Sequence, residues 1–174
     1  MQSQKYLRRL ISRSAIQFRI KELGEAIRRD HGSKPLVCVA VLKSTMFFAA
    51  DLMRAIGGDV RLEFLHTLND QSGITGSALP RIQYLSGSLK EQNCILIDGI
   101  VDTGLTLQKL LQAVATQKPR SLCSVVLLDK PNNREISIQA DYVGFSIPDE
   151  FVVGYGLDLQ GRFQALDYIA AYAP

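Results

Sequence analysis

The chain has 174 residues, 47% of them hydrophobic and 21% charged, with a net charge of +3; this is the usage of one globular domain long enough to bury a core without staples. No apolar run approaches the ~20 residues of a membrane helix, and the N-terminus alternates basic and apolar residues rather than presenting a signal-peptide core. The three cysteines lack paired spacing, which argues against a disulfide frame or zinc site and for reduced thiols in a cytoplasmic protein.

Residues 1–29 hold eight Lys/Arg against two Glu. With no interleaved aromatics and no recognised module, that excess reads as the solvated face of a helix, not as a nucleic-acid surface. Leu7, Leu10, Ile11, Ile16, Ile20, Leu23 and Ile27 form the matching apolar stripe, on a helical region around Ser12 to Arg29. A strand at Leu36–Leu42 enters the turn Lys43-Ser44-Thr45, and a helix follows through Ile56, closed by Gly57-Gly58. Strands at Val60–Leu65 and Arg81–Leu85 flank a small-residue stretch from Asn69 to Ser77, which predicts a long hairpin. The apolar run Cys94–Ile97 then meets Asp98, a short loop and a leucine-rich helix. Further strands are predicted at Leu122–Leu128, Asp141–Phe145 and Phe151–Tyr155. Strands alternating with helices predict a single α/β domain over residues 1–174, with a mainly parallel twisted sheet flanked by helices.

In such sheets ligands sit beyond the carboxyl ends of the strands. Lys43, Asp98 to Thr106, Lys130 and Asp158 all fall in loops at that edge. The richest of these loops runs from Asp98 through Gly99, Asp102, Thr103, Gly104, Leu105 and Thr106. Helix-start N–H groups lack intrahelical partners, Gly104 permits close backbone approach, and the threonines add hydroxyl donors, so the loop can cradle a phosphate. Asp98 and Asp102 are not needed for that, and beside a phosphate they suggest sugar hydroxyls, a metal ion or proton transfer.

These segments resemble the type I phosphoribosyltransferases, and among them the hypoxanthine-guanine branch. The resemblance is carried by the 98–106 loop, Leu42-Lys43 with Phe47 to Leu52, Asp129-Lys130-Pro131, and the run Asp141 to Asp158. It spans Leu10 to Ile169. It implies that family's fold, with a flexible hairpin loop and a small C-terminal hood, and a role in purine salvage. There, ribose 5-phosphate passes from phosphoribosyl pyrophosphate (PRPP) to hypoxanthine or guanine, giving IMP or GMP and pyrophosphate. By the same resemblance, Asp102 is the acid/base toward the purine and Asp102, Thr103, Gly104, Leu105 and Thr106 bind the 5′-phosphate. Asp98 contacts the ribose, and Lys43 and Ser44 bind pyrophosphate through a turn that often has a cis peptide. Lys130, Phe151, Val152 and Asp158 form the purine side, and Asp98 and Asp158 hold Mg²⁺. Relatives are dimers or tetramers, which implies a homodimer or homotetramer with PRPP and a 6-oxopurine as substrates.

Taken singly, Asp102 could be a helix cap, Lys130 a solvated turn lysine, Phe151 core, and Asp158 a turn cap. The chain also departs from the family pattern at four places: Gly99 for a second acid, Ser44 for a glycine, His66-Thr67 for Ser-Tyr, and Gln164 for a basic residue, with Arg162 nearby. All four lie on the PRPP, pyrophosphate and lid side, whereas the purine side is intact. A purine-nucleotide-binding regulator of the same fold, weakened or inactive in catalysis, is therefore a second expectation.

Overall fold

The structure, a computed structural model, describes residues 6–68, 81–84 and 87–173. Its centre is a six-stranded sheet in the order β4-β3-β2-β5-β6-β7. The strands are β2 Leu36–Leu42, β3 Val60–Leu68, β4 Arg81–Tyr84, β5 Asn93–Val101, β6 Ser121–Asp129 and β7 Tyr142–Ser146. All neighbours pair in parallel except β4, which returns antiparallel along β3 at the edge. The expected hairpin tip, Asn69 to Ser77, lies outside the described residues.

Strand β2, and β5 from Cys94 to Ile97, read as unbroken apolar runs because both faces are covered. Successive side chains alternate between two cores. Leu36, Cys38, Ala40, Ile95 and Ile97 face the helices α1 (Arg13–His31) and α2 (Met46–Ile56). Val37, Val39, Val41 and Leu96 face α3 (Leu105–Ala115) through Leu107, Leu110 and Val114. Helix α1 starts where expected, because Ser12 caps it by accepting from the Ala15 N–H at 3.2 Å.

Two expectations change. Leu7, Leu10 and Ile11 are not on the helical stripe; they belong to strand β1 (Leu7–Ile11), whose partner is β9 (Ile169–Tyr172). Three apolar residues at helical spacing imitate an extra turn when their strand partner stands at the other end of the chain. Similarly, Phe151–Tyr155 shortens to β8 (Val152–Val153), which leaves the central sheet and pairs with β9. Gly154, Tyr155 and Gly156 all have positive φ, which ends the strand. The three-stranded sheet β1-β9-β8 stands beside the carboxyl end of the main sheet, since Val152, Tyr155, Leu157 and Ile169 share a core with α1 and α2.

Candidate active site

Strand β5 carries its apolar run to a carboxylate. Asp98 is 7% exposed, and its Oδ1 accepts from the Gly99 N–H at 2.7 Å. Burial pushes its carboxyl up to about 6, and the Gly99 bond opposes that rise. Asp98 pairs in register with Val126 of β6, and Val101 with Asp129, so the loops after both strands leave at one level.

The loop after β5 brings Asp102 to the front. Gly104, at φ 90°, turns the chain into α3. A β-carbon on Gly104 would stand 2.5 Å from Ile138 Cγ2, so the segment after β6 lies directly over the loop. Thr103 braces the turn, its Oγ1 accepting from the Leu105 N–H at 3.4 Å and its carbonyl from the Glu135 N–H at 3.0 Å. Thr106 is exposed and Leu105 half-buried at the helix start.

Lys130 follows β6, and its side chain is only 8% exposed. The ammonium donates to Asp102 Oδ2 at 3.1 Å and to Asp149 Oδ1 at 3.2 Å. Asn133, in the 3-10 turn Pro131–Asn133, donates its Nδ2–H to Asp102 Oδ1 at 2.9 Å. Arg134 ties the frame together by donating to the carbonyls of Val101, Asp102, Lys130 and Ile138 and to the Asp129 carboxylate. Phe151 is 52% exposed and meets Tyr172 edge-on at 6.5 Å between centroids, while Val152 beside it is buried.

A second group gathers where β2 ends. The Leu42–Lys43 peptide is cis, as the resemblance implied. Lys43 is exposed, Ser44 half-buried, and Thr45 wholly buried with its hydroxyl donating to the Val41 carbonyl. Gly156, at φ 100°, lies against this turn: a β-carbon there would come within 2.2 Å of the Ser44 carbonyl oxygen. Ser44 and Leu157 in turn both border Gly99. Asp158 is the least engaged with the rest, its carboxylate accepting from the Gly161 N–H across its own turn. Gln164 uses its carbonyl to accept from the Gly156 N–H at 2.9 Å, and the Arg162 guanidinium lies 5.2 Å from the Phe163 ring centroid. His66 pairs with Gln83 across β3 and β4.

The structure thus brings Asp102 and Lys130 into contact, and sets Ser44 against Gly156 and Gly99. Asn133, Arg134 and Asp149 are joined to them although sequence reasoning passed them over. The signal for Asn133 and Arg134 was their closeness to Lys130; Asp149 carried only its place in the run before Phe151. Among the described residues no group of three or more His, Cys, Asp or Glu gathers as a metal cage. Asp98 nonetheless offers oxygen lone pairs that meet no protein donor other than the Gly99 N–H among the described residues. A hard cation completed by substrate phosphate oxygens suits such a carboxylate.

The profile of the phosphoribosyl transferase domain matches residues 10–160. The chain is similar to the hypoxanthine-guanine phosphoribosyltransferase of Staphylococcus aureus (strain Mu50 / ATCC 700699), at 38% identity over 166 residues covering 95% of this chain and 93% of that protein. Its fold matches a crystal structure of a hypoxanthine-guanine phosphoribosyltransferase from Bacillus anthracis with a TM-score of 0.86 and 37% identity, covering 95% of this chain and 96% of that one. It matches a hypoxanthine phosphoribosyltransferase from Staphylococcus aureus with a TM-score of 0.91 and 37% identity, covering 98% of this chain and 94% of that one.

Proposed function

The chain belongs to the phosphoribosyl transferase family, and on that premise we propose that it is a purine-salvage enzyme acting on hypoxanthine or guanine. It moves ribose 5-phosphate from PRPP to the base: the purine N9–C1′ bond forms as the bond from C1′ to pyrophosphate breaks. The transition state resembles an oxocarbenium ion with departing pyrophosphate, so the protein's work is orientation and charge neutralisation.

The observation that carries this reading is the Lys130 ammonium 3.1 Å from the Asp102 carboxylate, in a loop built as a phosphate cradle. Asp102 takes the proton that the base sheds at N7, and Lys130 donates to the 6-oxo group, which adenine lacks. The residues from Asp102 to Thr106 bind the 5′-phosphate, and Asp98 accepts from a ribose hydroxyl. Phe151 stacks on the base, and Val152 reads its edge through the main chain. Lys43 and Ser44 bind pyrophosphate. Asp98 and Asp158 would hold a Mg²⁺ ion, which would supply charge to neutralise the leaving pyrophosphate.

Residues 1–174 act as one domain, in a cytoplasmic homodimer or homotetramer. The three cysteines are all free, and no helix among the described residues is long and apolar enough to cross a membrane. Nothing observed favours the regulator reading.

The test is turnover by purified protein with PRPP, Mg²⁺ and each of hypoxanthine, guanine, xanthine and adenine, with Asp102→Ala as the control. Nucleotide formation from hypoxanthine or guanine that vanishes in the control is expected. No turnover, with retained binding of purine mononucleotide, would overturn the enzyme and leave the regulator.

A further inference from the structure

Four side chains from three loops gather around the Lys130 ammonium. Lys130 Nζ is shared between Asp102 at 3.1 Å and Asp149 at 3.2 Å. Asn133 donates to the far oxygen of Asp102 at 2.9 Å. The Asp149 carboxyl is held below the ordinary carboxylate range first by neighbouring Asn133 and then by Lys130. Lys130 thus bridges two carboxylates, one on the β5–α3 loop and one on the β7–β8 loop, with Asn133 bonded to Asp102 and beside Asp149.

This arrangement leaves both oxygens of Asp102 engaged, Oδ2 by Lys130 and Oδ1 by Asn133. Each oxygen keeps a second lone pair, so Asp102 can still take a proton from the base, but once protonated it no longer carries the charge that pairs it with Lys130. An ammonium has three N–H groups, and two are already committed. If Asp102 were its only counter-charge, protonation would leave a nearly buried cation unpaired, a costly state. Asp149 removes that obstacle. Its side chain is 66% exposed against 46% for Asp102, and it sits on the loop that carries Phe151.

We propose that Asp149 and Asn133 are positioning residues of the purine site, which keep Lys130 neutralised and aimed at the 6-oxo group while Asp102 gives it up. The proposal rests on the reading of Lys130 as the 6-oxo donor. Asp149 retains the ammonium when the base arrives, and Asn133 holds Asp149 and Asp102 at a fixed separation across it. Specificity for a 6-oxopurine then depends on a carboxylate that need not touch the substrate.

The test is binding of inosine and adenosine 5′-monophosphates to the full chain, by calorimetry, for the wild type, Asp149→Asn, Asp149→Glu and Asn133→Ala, with purine and PRPP kinetics alongside. Asp149→Asn is expected to weaken the inosine nucleotide about tenfold, the scale of one charge-assisted contact, and the adenosine nucleotide less than about twofold. Asp149→Glu is expected to recover most of the loss, and Asn133→Ala to move in the same direction as Asp149→Asn by a smaller factor. In turnover, KM for the base rises while KM for PRPP stays constant. Equal weakening of both nucleotides, or none in Asp149→Asn, would overturn the proposal by making the role merely structural. A wild type that does not prefer the inosine nucleotide would refute the Lys130 reading itself, and the proposal with it. Thermal unfolding of each variant separates either result from misfolding.

Discussion

The hydroxyl oxygen of Ser44 lies 3.5 Å from the point where a β-carbon would stand on Gly99, and the Ser44 β-carbon lies 3.8 Å from it. These are two of the four positions at which the chain departs from the pattern it resembles, and they lie side by side. This chain has a side chain on the turn and none on the strand end, and the Ser44 side chain borders the space that a side chain at Gly99 would enter.

That proximity makes the two positions interdependent for any side chain placed at Gly99. A β-carbon at Gly99 would meet Leu157 Cδ2 at 3.3 Å, the end of a flexible side chain, so an acid can be accommodated there. Gly99→Asp is expected to lower KM for PRPP by up to about tenfold, the scale of one charge-assisted contact. Adding Ser44→Gly, which clears room for the carboxylate, should lower it by more than the two single effects combined. Steady-state kinetics of the four proteins measure this; an unchanged KM throughout would show that PRPP contacts elsewhere already compensate.

Asp98 gives stability a pH slope of unusual sign. Its carboxyl is raised from 3.8 to about 6 in the fold by burial. The folded state therefore holds the proton more tightly than the unfolded chain. The stabilisation is full below about pH 4 and is lost as pH rises through 6. Asp98→Asn, which can still accept from Gly99, is expected to abolish that slope and to stabilise the free protein at pH 7 by at most about 3 kcal/mol. Urea midpoints between pH 4 and 8 would show it; a wild type whose stability climbs across this interval, with no change in the slope for Asp98→Asn, would contradict the assignment.

Arg134 spends its guanidinium on four carbonyls and the Asp129 carboxylate, with its side chain 15% exposed. Lysine has the charge but not the planar fork, and it would leave several of those acceptors unpaired. Arg134→Lys is expected to cost about 3 kcal/mol of unfolding free energy and to lower kcat, because Asp102 and Lys130 lose their shared brace. Loss of stability alone, with kcat intact, would confine Arg134 to holding the fold.

Removing Lys130 isolates Asp102 and Asp149 as facing carboxylates. Lys130→Ala is expected to abolish discrimination between hypoxanthine and adenine and to cut hypoxanthine turnover about a hundredfold or more, as two charge-assisted contacts are lost. If competition binding finds the 6-oxopurine preference intact, the purine-side assignment is wrong.

Much of the site could be read along the chain because each of its loops announces itself locally. An apolar run buried on both faces ends at Asp98, a Gly/Thr turn opens a leucine-rich helix, and Lys43 and Lys130 follow predicted strands. Buried strands, caps and helix starts depend on residues within a few positions, so periodicity and turn chemistry suffice to place them. This is why β2, β5, β6 and the start of α1 fall where expected. The small sheet could not be found that way. Leu7 pairs with Tyr172 and Val152 with Ala171, and no local pattern tells Leu7 that its partner is a strand rather than the next helical turn.

The sequence by itself therefore determined the α/β alternation, the strand–loop–helix unit that runs from Cys94 into the leucine-rich helix, and the places of Asp98, Asp102 and Lys130 at or just past the ends of strands. Those follow from short-range physics: hydrophobic spacing, orphan N–H groups at a helix start, and a charge left at a strand's end. Only the tertiary structure decided that Lys130 is divided between Asp102 and Asp149, that Asn133 donates to the other oxygen of Asp102, and that Ser44 faces the space beside Gly99. Contacts between loops depend on where the strands that carry them stand side by side in the sheet, and sequence distance holds no record of that.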